Sequence, residues 1–130
     1  VRTFHQWLLE NENHFAKSAY TINGKNYNVS ELANWAEKNL RPVALNISDI
    51  QKRYENAKGL FIDVEQGDDW YKRSMNANLS FPILVFEKDP NNSNGEWEII
   101  DGNHRVWRAW KDGMKTISAY LINSNSLSQI

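Results

Sequence analysis

Apolar positions at the start of the chain recur at helical spacing. Phe4, Trp7, Leu8 and Phe15, with Asn11 among them, fall near a period of about 3.6 residues and predict a first helix with one mostly apolar stripe. Residues 20–27 read Tyr-Thr-Ile-Asn-Gly-Lys-Asn-Tyr, β-prone arms around an Asn-Gly pair, which is the strongest short hairpin signal. Asn28 stands three positions before Glu31, the spacing of a capping box, and predicts a second helix. Leu32, Trp35, Ala36 and Leu40 form the buried face of that helix, and Arg41-Pro42 stops it.

Beyond Pro42 the period changes. Residues 43–47 alternate as a strand does, and Ser48 with Gln51 caps a helix that Gly59 is expected to end. Residues 61–64 read as a short strand or extended piece, followed by the acidic turn Glu65-Gln66-Gly67-Asp68-Asp69. Asp68 or Asp69 caps a helix running to about Ala77, with Trp70 facing inward. Residues 81–86 are apolar almost throughout, as in a strand covered on both faces. A turn over 89–95 leads to a partner strand over 97–100, then a helix over 104–112 that Gly113 stops, and a closing strand over 116–122. The Ser- and Asn-rich end is expected to fray.

This order predicts an α/β fold of the α+β kind with a mixed sheet. A helical segment with a hairpin occupies residues 1–41, the main core 42–123 and a tail 124–130. Composition narrows the chemistry. The chain has 130 residues, no cysteine, three histidines and a formal net charge of -1. That length suits one core. Without cysteine there is no disulfide, no thiolate zinc site and no thiol nucleophile. The near-neutral charge argues against a generic nucleic-acid coat, which needs surplus Lys and Arg. No apolar run approaches the ~20 residues that span a bilayer, and no leader pattern opens the sequence, so no membrane contact and a cytoplasmic location are expected.

The run from Trp97 to Trp110 carries the strongest chemical signal. A strand enters a tight turn at Asp101-Gly102, and a helix begins at once with Asn103-His104-Arg105. Glycine permits a positive φ and lets a ligand approach the main chain. The first amides of a helix have no intrahelical acceptor and carry the positive end of its dipole, so they favour an anion. His104 and Arg105 add donors, and a guanidinium can hold two phosphate oxygens. Val106, Ala109 and Trp110 share the face that anchors the helix. A plainer account fits the same residues: Asp101 as a cap, Gly102 as turn geometry and Arg105 paired with a surface carboxylate.

The order Pro82-Ile83-Leu84-Val85, a turn, Ile99-Ile100-Asp101-Gly102-Asn103-His104-Arg105, then Gly113 and a closing strand resembles the ParB/sulfiredoxin superfamily over roughly residues 42–123. The resemblance implies a ParB/sulfiredoxin-like core in which a Gly-x-x-Arg or Gly-x-His-Arg loop holds nucleotide phosphates. Gly102, Asn103, His104 and Arg105 then become the phosphate-binding residues. In sulfiredoxins an upstream Asp-x-x-Lys run presents a lysine to the nucleotide; Asp69-Trp70-Tyr71-Lys72 has that form, which implies Lys72 as a second contact. Two departures matter. Asn103 stands where sulfiredoxin has its catalytic cysteine, which excludes that repair chemistry. Glu55-Asn56-Ala57-Lys58 only partly echoes the second ParB motif and lies upstream of the phosphate loop rather than downstream.

Phosphoryl transfer uses cationic donors, commonly Mg²⁺, and a carboxylate that orients the nucleophile or the metal. Asp101 is the candidate metal ligand; Glu65 and Asp69, with His104, are the candidate catalytic groups. The leading expectation is therefore a Mg²⁺-dependent phosphotransferase or nucleotidase using ATP or another NTP. A second reading is a non-catalytic module of phage type that seizes a host protein, a small molecule or a nucleotide, with an exposed Trp107 contributing to the partner surface. A third is a ParB-like nuclease or DNA-binding protein with a local patch of Arg105, Arg108 and Lys111; nucleic acid is the least favoured partner.

Overall fold

The structure, a computed structural model, describes residues 19–130; the helix expected over residues 4–15 lies outside them. β1 (Ala19–Ile22) and β2 (Lys25–Asn28) form an antiparallel hairpin with Ile22 opposite Lys25. Asn23 and Gly24 both have positive φ, 52° and 81°, the geometry that twists two strands together across a two-residue turn. Helix α1 (Val29–Asn39) follows directly, and Asn28 Oδ1 accepts from the Glu31 amide as the spacing predicts.

The main sheet has four strands in the order β3-β6-β4-β5: β3 (Val43–Asn46), β4 (Ile83–Glu87), β5 (Trp97–Asp101) and β6 (Thr116–Ile122). β6 runs parallel to β4 and antiparallel to β3, and β5 runs antiparallel to β4, so the fold is α+β with a mixed sheet. Side chains alternate across it. Leu84, Phe86, Tyr120 and Ile122 pack with α1 and Ile22 on one face. Ile83, Val85, Ile99, Ile117 and Ala119 pack on the other with Leu45, Val106 and Trp107. Both faces of β4 are thus covered, which is why it reads as an unbroken apolar run. The hairpin is also tied to the sheet at Tyr20: burial, with Glu98 beside it, pushes the Tyr20 phenol up to about 12.

The second face carries four helices: α2 (Ile47–Arg53), α3 (Ala57–Leu60), α4 (Asp69–Met75) and α5 (Asn103–Lys111). The single helix expected between Ser48 and Gly59 is therefore two. It breaks where Tyr54 makes a β-bridge to Trp97, and Gly59 lies inside α3 rather than ending a helix. Residues 61–64 belong to no strand or helix. Asp68 caps α4 through its Oδ1 and the Trp70 amide, and Gly113, at φ 74°, follows α5 as expected. The end of the chain does not simply fray. α6 (Ser124–Leu127) is fixed by a capping box between Asn123 and Ser126, and Leu127 is buried in the first core cluster.

Candidate functional site

β5 delivers the chain to the predicted loop through an irregularity. Val85 pairs with Ile99, but Leu84 pairs with Asp101, so Ile100 is an extra residue bulged out of the ladder. Asp101 is thereby shifted by one position, and the chain turns at Gly102, the N-cap of α5, with φ 120° and ψ 16°. Only glycine occupies that region without strain. Its missing side chain has a second cause. A Cβ there would stand 2.4 Å from Ile83 Cγ2 and 2.7 Å from Ile83 Cβ, so the space belongs to β4 and not to a ligand. Gly102→Ala is expected to cost about 3 kcal/mol, from the positive φ and the overpacking together. Urea unfolding checks this, and a loss below about 1 kcal/mol would show that Ile83 yields.

Arg105 departs furthest from the sequence expectation. It is 3 % exposed. Its Nη1 donates to Phe81 O at 2.9 Å and to Pro82 O at 2.8 Å, and its Nη2 to Asp101 Oδ2 at 2.9 Å. The guanidinium closes the entry to β4 from behind the loop; it is not an open phosphate clamp. Burial holds its pKa below the usual guanidinium range, with the Asp101 carboxylate acting in the opposite sense. The cause is phase along α5. The Arg105 position faces inward beside Val106, where its guanidinium reaches the Phe81 and Pro82 carbonyls.

His104 is held at the first turn of α5 by α4. Ser74 Oγ lies 3.0 Å from His104 Nδ1, and the Trp70 ring lies over the imidazole, with centroids 4.0 Å apart and planes inclined by 33°. Ser74 is wholly buried, so the serine fixes the ring and is not itself accessible. Asn103 Oδ1 is buried with no hydrogen-bond partner, which carries a desolvation cost of about 1–3 kcal/mol. The helix start also lacks a side-chain cap, because its N-cap is a glycine.

The remaining candidates are not gathered here. Trp70 and Ser74 face α5, and Lys72, two positions from each, points about 160° away round α4. Asp69 is on an outward face, paired with Arg73 at 3.0 Å. Glu65 is exposed in the turn before α4, where its carbonyl accepts from the Asp68 amide. No hydrogen bond or ion pair joins Glu65, Asp69 or Lys72 to residues 101–105. Asp101, the expected metal ligand, spends Oδ2 on Arg105. Among the described residues no three His, Asp or Glu side chains are grouped to hold a metal ion.

The expected surface features change as well. Trp107 is fully buried, with Nε1 donating to Ile62 O at 2.7 Å, so it offers nothing to a partner. The proposed basic patch is dispersed. Arg105 is inside, Arg108 donates to Met75 O and Ala77 O at 2.8 Å, and Lys111 pairs with Asp63 at 2.8 Å. Ser74 was the site residue that the motif did not reveal. The Trp70–Ser74 spacing, one helical turn, is the signal that places both against one neighbour.

Among the described residues no helix is long and apolar enough to cross a membrane. Compared with protein-family models, curated proteins and solved structures, the chain matches none of them.

Proposed function

We propose that the protein is a nucleotide-binding module that receives phosphate at the start of α5. The observation that carries this reading is the β5–Gly102–α5 junction, where a helix of nine residues opens without a side-chain cap and His104 is clamped in its first turn. The amide of Asn103 and the imidazole of His104 meet the anion, favoured by the helix dipole. Arg105 acts from behind by holding Asp101 and the entry to β4. The resemblance to the ParB/sulfiredoxin superfamily points to the same junction as the nucleotide seat.

Binding without turnover is the better supported form. The Mg²⁺-dependent phosphotransferase or nucleotidase implied by the resemblance needs carboxylates at the phosphates, whereas Asp69 is paired with Arg73, Asp101 with Arg105, and Glu65 stands exposed in the turn before α4. Calorimetry with ATP, with and without Mg²⁺, tests the reading. His104→Ala is expected to weaken binding roughly 10- to 100-fold, the loss of a hydrogen bond to a charged group. Lys72→Ala is expected to change affinity little. The absence of any heat with ATP, ADP or inorganic triphosphate ends the proposal. Mg²⁺-dependent release of labelled phosphate that Asp101→Asn abolishes would replace it with the catalytic reading.

A further inference from the structure

The chain contains two Asn-Gly steps, Asn23-Gly24 and Asn94-Gly95, and the fold treats them oppositely. At the first, both residues are exposed at the tip of the hairpin. A Cβ built on Gly24 would have nothing within 4 Å, so no other segment crowds the turn there. At the second, the Gly95 amide donates to Asn92 O at 2.9 Å, and the Asn94 amide donates to Asn92 Oδ1 at 2.9 Å. Gly95 is buried, and a Cβ there would stand 2.8 Å from Asp89 O. Arg53 fixes the same loop, with Nε donating to Gly95 O at 2.6 Å and its guanidinium 3.7 Å from the centroid of the Trp97 ring.

We propose that Asn23 is a site of spontaneous covalent modification in the folded protein, and that Asn94 is protected from the same chemistry. The Gly24 nitrogen attacks Asn23 Cγ, a carbon–nitrogen bond forms, and the side-chain amide nitrogen leaves as ammonia with the proton from the Gly24 amide. Water then opens the cyclic imide at either carbonyl and gives aspartate or isoaspartate. No oxidant is involved, and solvent water is the one co-reactant. Isoaspartate adds a methylene to the main chain and a negative charge at the tip. The positive-φ turn is lost, and with it the Ile22–Lys25 closure that holds Ile22 in the core beside Val29 and Leu32. The hairpin is therefore an ageing point of the molecule. At the other step, the attacking nitrogen is engaged in a hydrogen bond and the rotation it needs drives the chain into the Asp89 carbonyl.

The folded chain, incubated in warm, mildly alkaline buffer, is digested and analysed by mass spectrometry, with isoaspartate measured separately. A parallel sample is incubated in urea at a concentration that unfolds it. In the folded sample, conversion is expected at residue 23 at least tenfold faster than at residue 94. In urea the two positions are expected to react at comparable rates. Equal conversion in the folded protein, or faster reaction at Asn94, overturns the proposal. So does an Asn94 that stays inert after unfolding, since its protection would then not come from the fold. Asn23→Gln is expected to remove the hairpin product while leaving the unfolded-state reaction at Asn94 unchanged.

Discussion

Arg105→Ala is expected to destabilise the protein by about 4 kcal/mol and to lower its Tm by roughly 10–15 °C. Three hydrogen bonds disappear together: those to Phe81 O, Pro82 O and Asp101 Oδ2. The two carbonyls lie at the entry to β4, with Phe81 5 % exposed, and water reaches them poorly. Each unmatched acceptor costs on the order of 1–3 kcal/mol. Asp101 is a lesser loss, because its side chain is 21 % exposed and can be rehydrated in part. Arg105→Lys keeps the charge but not the planar fork, so it is expected to recover less than half of the loss. Chemical denaturation of the three proteins checks the order. A phosphate ligand would behave otherwise: if Arg105→Ala unfolds at the parent concentration of urea but no longer binds ATP, the guanidinium faces a ligand after all.

Such a test separates what a motif can say from what only a fold can say. Asn23-Gly24, the caps at Asn28 and Asp68 and the stop at Gly113 were legible because each rests on chemistry within four residues. The cover on both faces of β4 was legible too, since a strand with water on one side alternates. Where Arg105 sends its guanidinium was not. Its partners at Phe81 and Pro82 lie 24 and 23 residues earlier, and only tertiary packing brings those carbonyls beside α5. The break at Tyr54 has the same origin, because the competing β-bridge to Trp97 is non-local.

Other parts of the site were within reach of the sequence. The phase of α4 already separates Lys72 from Trp70 and Ser74, so a shared spacing with a lysine motif did not bring the lysine to the start of α5. The box at Asn123 and Ser126 is an N-terminal signal of the ordinary kind, with serine where Glu or Gln is usual. The bulge at Ile100, in contrast, exists only in the pairing of β4 with β5, and it sets where Asp101 and Gly102 stand. The candidate site therefore combines a legible loop with a placement that belongs to the sheet.

Trp107→Ala is expected to cost about 4–5 kcal/mol, a large part of the roughly 5–15 kcal/mol that holds a domain of this kind together. The indole is fully buried, edge-on to Tyr71 at 5.9 Å and to Trp110 at 6.3 Å, so its removal leaves a cavity in a close-packed core. Trp107→Phe separates packing from polarity. It keeps most of the volume and deletes the bond to Ile62 O, at about 1–2 kcal/mol. That bond ties α5 to residues 61–64, which lead through the acidic turn into α4. α4 in turn holds His104 through Ser74 and Trp70. Trp107→Phe is therefore expected to speed amide exchange over residues 61–68 and to weaken ATP binding several-fold, with only a small shift in Tm. Unchanged exchange in that segment would mean that packing of the aromatic rings, rather than the indole N–H, positions the approach to His104.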